Sequence, residues 1–275
     1  MPACLTGSVL AWKVQIDHWL NPQLFLAPST DGRTLDEAGL RAAIRSQVPS
    51  ARIAWIDLPS EAGHSAIATV GNWPDARAPE RRVNEVFLDP STGAIIGTRS
   101  TQTPDFRREE LVHWIRRFHY TLGFKRAGMV FMGGVAIAWL LDALLGTVLT
   151  FPAGIDRWRG WVRAWKVRSA WLNYDLHRAS ALWLWPALIV LALTSIYLNL
   201  TREVFVPAVE GMARALPESW REPAVTTVLE WQEPLHTGSA FGMAGRTLVC
   251  ITGLAASLGI VTGLLSWLRR LRRSS

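Results

Sequence analysis

Apolar residues cluster into three long runs, about Ala127 to Phe151, Ala179 to Leu200 and Arg246 to Leu268. Each has roughly the 20 residues that a helix needs to cross the hydrocarbon core of a bilayer. A fourth run, Leu5 to Trp12, is far too short to span. The stretch from about Asp17 to Lys125 is polar overall and carries shorter periodicities. Thr34-Leu35-Asp36-Glu37 reads as a capping box opening an amphipathic helix that runs through about Gln47 and is stopped by Pro49. Arg52 to Leu58 and His64 to Val70 are β-rich and flank Ser60-Glu61-Ala62-Gly63, which predicts a hairpin. A second hairpin is predicted from Asn84–Leu88 and Ala94–Gly97 around Asp89-Pro90-Ser91-Thr92-Gly93. The expected fold class is a membrane α-helical bundle, three full spans plus the remnant of a fourth, with a small exterior α+β domain of one helix on an antiparallel sheet.

Composition agrees with a bilayer solvent. The chain is 49% hydrophobic with 15 Trp, too apolar for an ordinary soluble domain. The formal charge of +7 does not point to nucleic acid, because the basic residues lie beside the spans rather than on a separable domain. Arg157, Arg159, Arg163, Lys166, Arg168 and Arg178 stand against Asp156 and Asp175 between the first two spans, and the chain closes on Arg269-Arg270-Leu271-Arg272-Arg273. Positive residues stay inside, so that loop and the tail are expected in the cytoplasm and the α+β domain outside. The expected organisation is 1–16 a remnant of a first transmembrane helix, 17–108 the exterior domain, 109–152 a transmembrane helix and 153–175 a basic Trp-rich loop. Then come 176–202 a transmembrane helix, 203–233 a second exterior segment, 234–268 a transmembrane helix and 269–275 the basic tail. Trp158, Trp161 and Trp165 share one helical face of the loop, with Trp171 beyond. Membrane lipid is therefore an expected partner, and a docking surface for an electron donor is the second reading of that loop.

Leu5–Trp12 lacks the basic flank of a signal peptide, so nothing visible exports the following hundred or so residues. The segment is read as the outer half of a first helix whose cytoplasmic half lies upstream of Met1. Cys4 falls in this stub and Cys250 inside the last run, so a disulfide is not expected.

Three histidines sit at the mouths of the apolar runs: His119, His177 and His236. A neutral imidazole ligates haem iron well, and one at each helix mouth lets two helices clamp a macrocycle between them. Topology pairs them. His119 and His236 both precede helices that enter from outside, so the two lie at similar depth and can share one haem. His177 opens a helix that enters from the cytoplasm, across about 30 Å of hydrocarbon. Its partner is expected on the missing part of the first helix. An isolated histidine near a span is more often an interfacial group bonded to a neighbour; three at matching depths weigh the other way. His18, His64 and His113 are read as non-ligands. Asp142, in mid-span, is either a functional carboxylate or a packing group bonded to Thr194 or Ser195, and the sequence leaves both open. Gly253, Gly259 and Gly263 leave room for a second helix or a flat macrocycle.

At these residues the chain resembles the PepSY-associated transmembrane family, which includes haem-containing inner-membrane siderophore reductases. Asp36-Glu37-Ala38 and Val86-Phe87-Leu88-Asp89-Pro90-Ser91-Thr92-Gly93 resemble its PepSY module. Phe118-His119-Tyr120-Thr121-Leu122 with Trp139-Leu140-Leu141-Asp142 resembles a family helix. So do Asn173-Tyr174-Asp175-Leu176-His177-Arg178-Ala179 with Leu182-Trp183-Leu184-Trp185, and Leu235-His236-Thr237-Gly238 with Phe241-Gly242 and Gly245-Arg246. The family's first helix carries a His-x-x-x-Gly motif near its cytoplasmic end, in a part expected upstream of Met1, and its second exterior segment, here Pro207–Trp231, is longer. The resemblance implies a bacterial inner-membrane protein with a periplasmic PepSY domain. It implies haem b as cofactor, one per chain, or two if a full first helix precedes Met1, ligated by His119, His177 and His236. It also implies electron flow from a cytoplasmic donor to a ferric siderophore, an oxidoreductase activity in iron acquisition. The alternatives are a non-catalytic accessory whose PepSY module binds or restrains a peptidase, and an inactive truncated copy.

Overall fold

The computed structural model describes residues 1–29, 34–74, 82–102, 105–150 and 172–274. They fall into two units: Met1–Trp12 with Arg117–Ser275, and Lys13–Arg116. The second unit starts earlier and ends later than the expected 17–108. The chain opens with α1 (Pro2–Leu10), which belongs to the first unit.

The α+β unit contains α2 (Lys13–Leu20), α3 (Pro22–Phe25), α4 (Glu37–Gln47) and four strands: β1 (Arg52–Asp57), β2 (Ala66–Pro74), β3 (Arg82–Leu88) and β4 (Ile95–Arg99). The strands pair in sequence order, all antiparallel, with Ile67 opposite Phe87 and Phe87 opposite Gly97. Both expected hairpins are present. The second is shaped by Asp89, whose buried carboxylate accepts the amides of Ser91 (2.9 Å), Thr92 (3.3 Å) and Ser29 (3.0 Å). Burial alone would raise its pKa, but these donors hold it below the ordinary value.

Helix α4 starts later than the Thr34 cap predicts. The Leu35 amide donates to the Pro90 carbonyl (2.7 Å), tying the chain to the hairpin, and Asp36 caps instead by accepting from the Gly39 amide (2.8 Å). Leu40 and Ile44, one turn apart, are fully buried against Ala66, Ala68, Val86 and Leu88. The sheet is covered on its other face too, by Leu24 and Phe25 packed on Phe87, so it carries helices on both sides rather than one. Beside them Arg99 is buried, paired with Asp17 (2.7 Å) and Glu85 (2.6 Å) and lying 5.0 Å from the Phe87 ring centre.

The helical unit continues with α5 (Leu111–Thr121), which begins in the α+β unit, and α6 (Lys125–Thr150). It ends with α7 (Leu172–Leu200), α8 (Val206–Ala213), α9 (Glu218–Thr237) and α10 (Gly242–Ser274). Helix α7 packs against α6, α9 and α10, and α1 packs on α10. Three segments are long and apolar enough to cross a membrane: Lys125–Gly146, Trp183–Ala213 and Ser239–Leu268. The second runs past the expected end near 202, because a π-helical turn (Thr201–Phe205) carries the apolar sequence on into α8.

Inside and outside are exchanged relative to a water-soluble bundle. Ala136, Ala192, Thr194, Thr252, Ser257 and Thr262 are buried, while Leu141, Leu145, Leu254, Leu258 and Leu264 are exposed. Small residues let helices approach where lipid offers no hydrophobic drive. The buried hydroxyls are satisfied locally: Thr252 donates to the Leu248 carbonyl (2.7 Å) and Ser257 to that of Gly253 (2.9 Å). Of the two readings of Gly253, the structure supports helix packing. A Cβ there would lie 2.7 Å from the Cys4 carbonyl oxygen, and Ser8 donates across the crossing to the Cys250 carbonyl (3.0 Å).

Two expected single helices, 109–152 and 234–268, are each broken into a helix, a corner and a span. Between α5 and α6 the backbone turns through Leu122 (φ 49°), Gly123 (φ 85°) and Lys125 (φ 49°). Between α9 and α10 it turns through Gly238 (φ 75°) and Gly242 (φ 56°). A threonine stands at the end of each leading helix. Thr121 Oγ1 accepts from the Gly123 amide (3.1 Å), and Thr237 Oγ1 from the Ser239 amide (3.4 Å). The basic Trp-rich loop, with Trp158, Trp161, Trp165 and Trp171, lies outside the described residues.

Candidate functional site

His119 and His236 occupy equivalent places, each in the last turn of the helix that precedes a corner. Neither lies on the span itself; each precedes it, at the mouth of its apolar run. The corner turns each imidazole toward a helix it is not joined to. Nδ1 of His119 lies 3.0 Å from Thr6 Oγ1 on α1, and Nδ1 of His236 lies 2.9 Å from Thr194 Oγ1 on α7. Gly7 admits the first ring: a Cβ at that position would stand 3.1 Å from His119 Cε1.

The two rings face each other at 6.3 Å between centroids, with an interplanar angle of 56°. Two imidazoles bound through Nε2 to one metal at about 2.0 Å place their centroids roughly 6 Å apart. Both Nδ1 atoms are engaged by threonines, which leaves the Nε2 atoms for a ligand. The donors, their spacing and the threonines that engage their Nδ1 atoms thus fit axial ligation of a haem iron.

The other named residues do not join this pair. His177 lies on α7, and its side chain is outside the described residues. Asp142 lies on α6, exposed, and makes no hydrogen bond or ion pair with a described residue. Of its expected partners, Thr194 is engaged elsewhere: it donates to the Val190 carbonyl (2.8 Å) and meets His236.

A second histidine pair, in the α+β unit, was not legible in sequence. His18 sits on a helix rather than in a loop, stacks on Phe25 at 3.9 Å between centroids and lies 6.0 Å from the His64 ring. His64 Nε2 is 3.8 Å from a Glu61 carboxylate oxygen. Desolvation, and then the neighbouring His64, lower the His18 pKa. Among the described residues no three His, Cys, Asp or Glu side chains gather as a metal site.

The class is therefore a helical membrane protein with an α+β unit and a facing histidine pair at two helix corners. The PepSY-associated TM region family matches the chain over residues 1–270, and the chain belongs to that family. No curated protein matches it.

Proposed function

We propose that the chain is an inner-membrane b-type haem protein that carries electrons across the bilayer in iron acquisition, with a ferric siderophore as the exterior acceptor and a cytoplasmic donor. The observation that carries the reading is the His119–His236 pair, whose 6.3 Å ring spacing suits one shared iron. A haem bound there supplies one-electron chemistry between Fe(III) and Fe(II). The protein's part is to hold the two imidazoles, keep water out and set their protonation. Helices α1 and α7 do the holding, through Thr6 and Thr194.

His177 is assigned to a second haem near the other leaflet. That site needs a further ligand, so the His119–His236 pair alone accounts for about one haem per chain. The distribution of arginines supports a cytoplasmic tail and a periplasmic α+β unit, and the Asp89–Gly93 hairpin supports reading that unit as a PepSY module.

The test is the absorption spectrum of the purified chain after expression with ample haem. Dithionite reduction is expected to give the sharp α-band of six-coordinate low-spin haem at about one haem per chain. Stoichiometric protein without haem absorbance would overturn the reading and leave the accessory role, a membrane-anchored module that binds a peptidase.

A further inference from the structure

Two hydroxyls on unconnected helices make the same pattern of bonds around the facing histidines. A threonine hydroxyl has one proton to give and lone pairs to receive. Thr6 Oγ1 lies 2.9 Å from the Pro2 carbonyl and 3.2 Å from that of Ala3; Thr194 Oγ1 lies 2.8 Å from the Val190 carbonyl and 3.1 Å from that of Leu191. Carbonyls only accept, and each hydroxyl stands at donating distance from two of them, so the arrangement favours return of the single proton to the threonine's own helix. The remaining contact of each hydroxyl is to Nδ1 of a histidine, 3.0 Å for His119 and 2.9 Å for His236. With its proton committed, the oxygen can only accept there, so Nδ1 carries the hydrogen. A neutral imidazole has one N–H, so in both rings Nε2 is left with a bare lone pair.

We propose that Thr6 and Thr194 are positioning residues: each returns its proton to its own helix and accepts Nδ1–H, which fixes His119 and His236 in the tautomer whose Nε2 binds iron. The inference rests on the haem reading for its purpose, and the tautomer assignment rests on the hydrogen-bond distances around the two hydroxyls. Acceptance of Nδ1–H makes each imidazole a stronger donor and holds its ring plane, the effect of outer-shell partners at metal-bound histidines generally.

The experiment has two arms on the full chain in detergent micelles. In haem-free protein labelled with ¹⁵N-histidine, the His119 and His236 ring nitrogens are expected to report protonated Nδ1 and bare Nε2. Thr6→Val and Thr194→Val, which keep shape and drop the hydroxyl, are expected to mix the tautomers of the histidine each contacts. Thr→Ser at either position restores the wild-type pattern, which separates the hydroxyl's role from loss of folding. In haem-loaded protein each valine variant is expected to bind haem 10- to 100-fold more weakly, the usual cost of losing an outer-shell partner. A tenfold loss confined to the ferric form reads as an upward shift in midpoint potential of about 59 mV. Protonated Nε2 in the wild type would overturn the proposal. So would valine variants with unchanged tautomers, haem affinity and potential. Wild-type protein with the expected tautomers and no haem under any loading condition would uphold the hydrogen-bond assignment and overturn the haem reading instead.

Discussion

His119 and His236 stand out in the sequence because each is a lone imidazole at the mouth of an apolar run, and the structure brings their rings to 6.3 Å between centroids, tilted at 56°. Their partners do not stand out. Thr6 reads as an ordinary small residue and Thr194 only as a candidate partner of Asp142, since a hydroxyl bonded to its own helix hides its polarity from any hydropathy pattern. The nearness of His18 and His64 was equally hidden. They are 46 positions apart, and the bridge between Leu26 and His64 that helps bring their segments together has no local signature. Asp89 is the opposite case, a residue whose role is plain from Asp-Pro-x-Thr-Gly spacing. It closes the β3–β4 turn with three amide donors and should be costly to remove. Asp89→Ala is expected to lower the local stability of the hairpin by about 2 kcal/mol. Hydrogen exchange of the Phe87–Gly97 amides, measured in the full chain, should then run about 30-fold faster. The lowered carboxyl pKa also fixes the sign of a pH effect. The folded value lies below the unfolded one, so the contribution is complete above the usual Asp pKa of about 3.9 and is lost as pH falls through the folded value. Acid should therefore loosen this hairpin in the wild type and leave Asp89→Ala unaffected.

At the scale of elements, the hairpins and α4 were legible because turn chemistry and amphipathic period both mark them. The breaks at the two corners were not. The sequence Leu122-Gly123-Phe124 stays apolar across the first, so hydrophobicity runs on where the helix stops. What ends α5 and α9 is backbone conformation, with Gly123 at φ 85° and Gly238 at φ 75°, a region that L-residues enter at a cost of about 1–3 kcal/mol. The two glycines differ in their surroundings. A Cβ on Gly238 would run into the Gly245 carbonyl and lie 2.7 Å from the Arg246 amide, whereas one on Gly123 meets nothing within 4 Å. Gly238→Ala should therefore displace His236 and lower the haem-to-protein ratio severalfold. Gly123→Ala, which bears conformational strain alone, should lower it less, and equal losses in both would show that the corner geometry is not what places the rings.

At the scale of the whole molecule, the three spans follow from length and hydropathy, and their inside-out packing follows from solvent. Large aliphatic side chains face outward, while threonine, serine, alanine and glycine let the helices approach. That arrangement places hydroxyls between the helices, where two of them engage the imidazoles. The central claim is that one iron bridges His119 and His236. Electron paramagnetic resonance of the ferric, haem-loaded chain tests it most directly, because the second histidine pair, His18 and His64, has nearly the same ring spacing at 6.0 Å and serves as an internal control. The account predicts a six-coordinate low-spin signal that is lost in His119→Ala and in His236→Ala and unchanged in His18→Ala and His64→Ala. A low-spin signal that survives loss of both His119 and His236, or that disappears with His64, would contradict it.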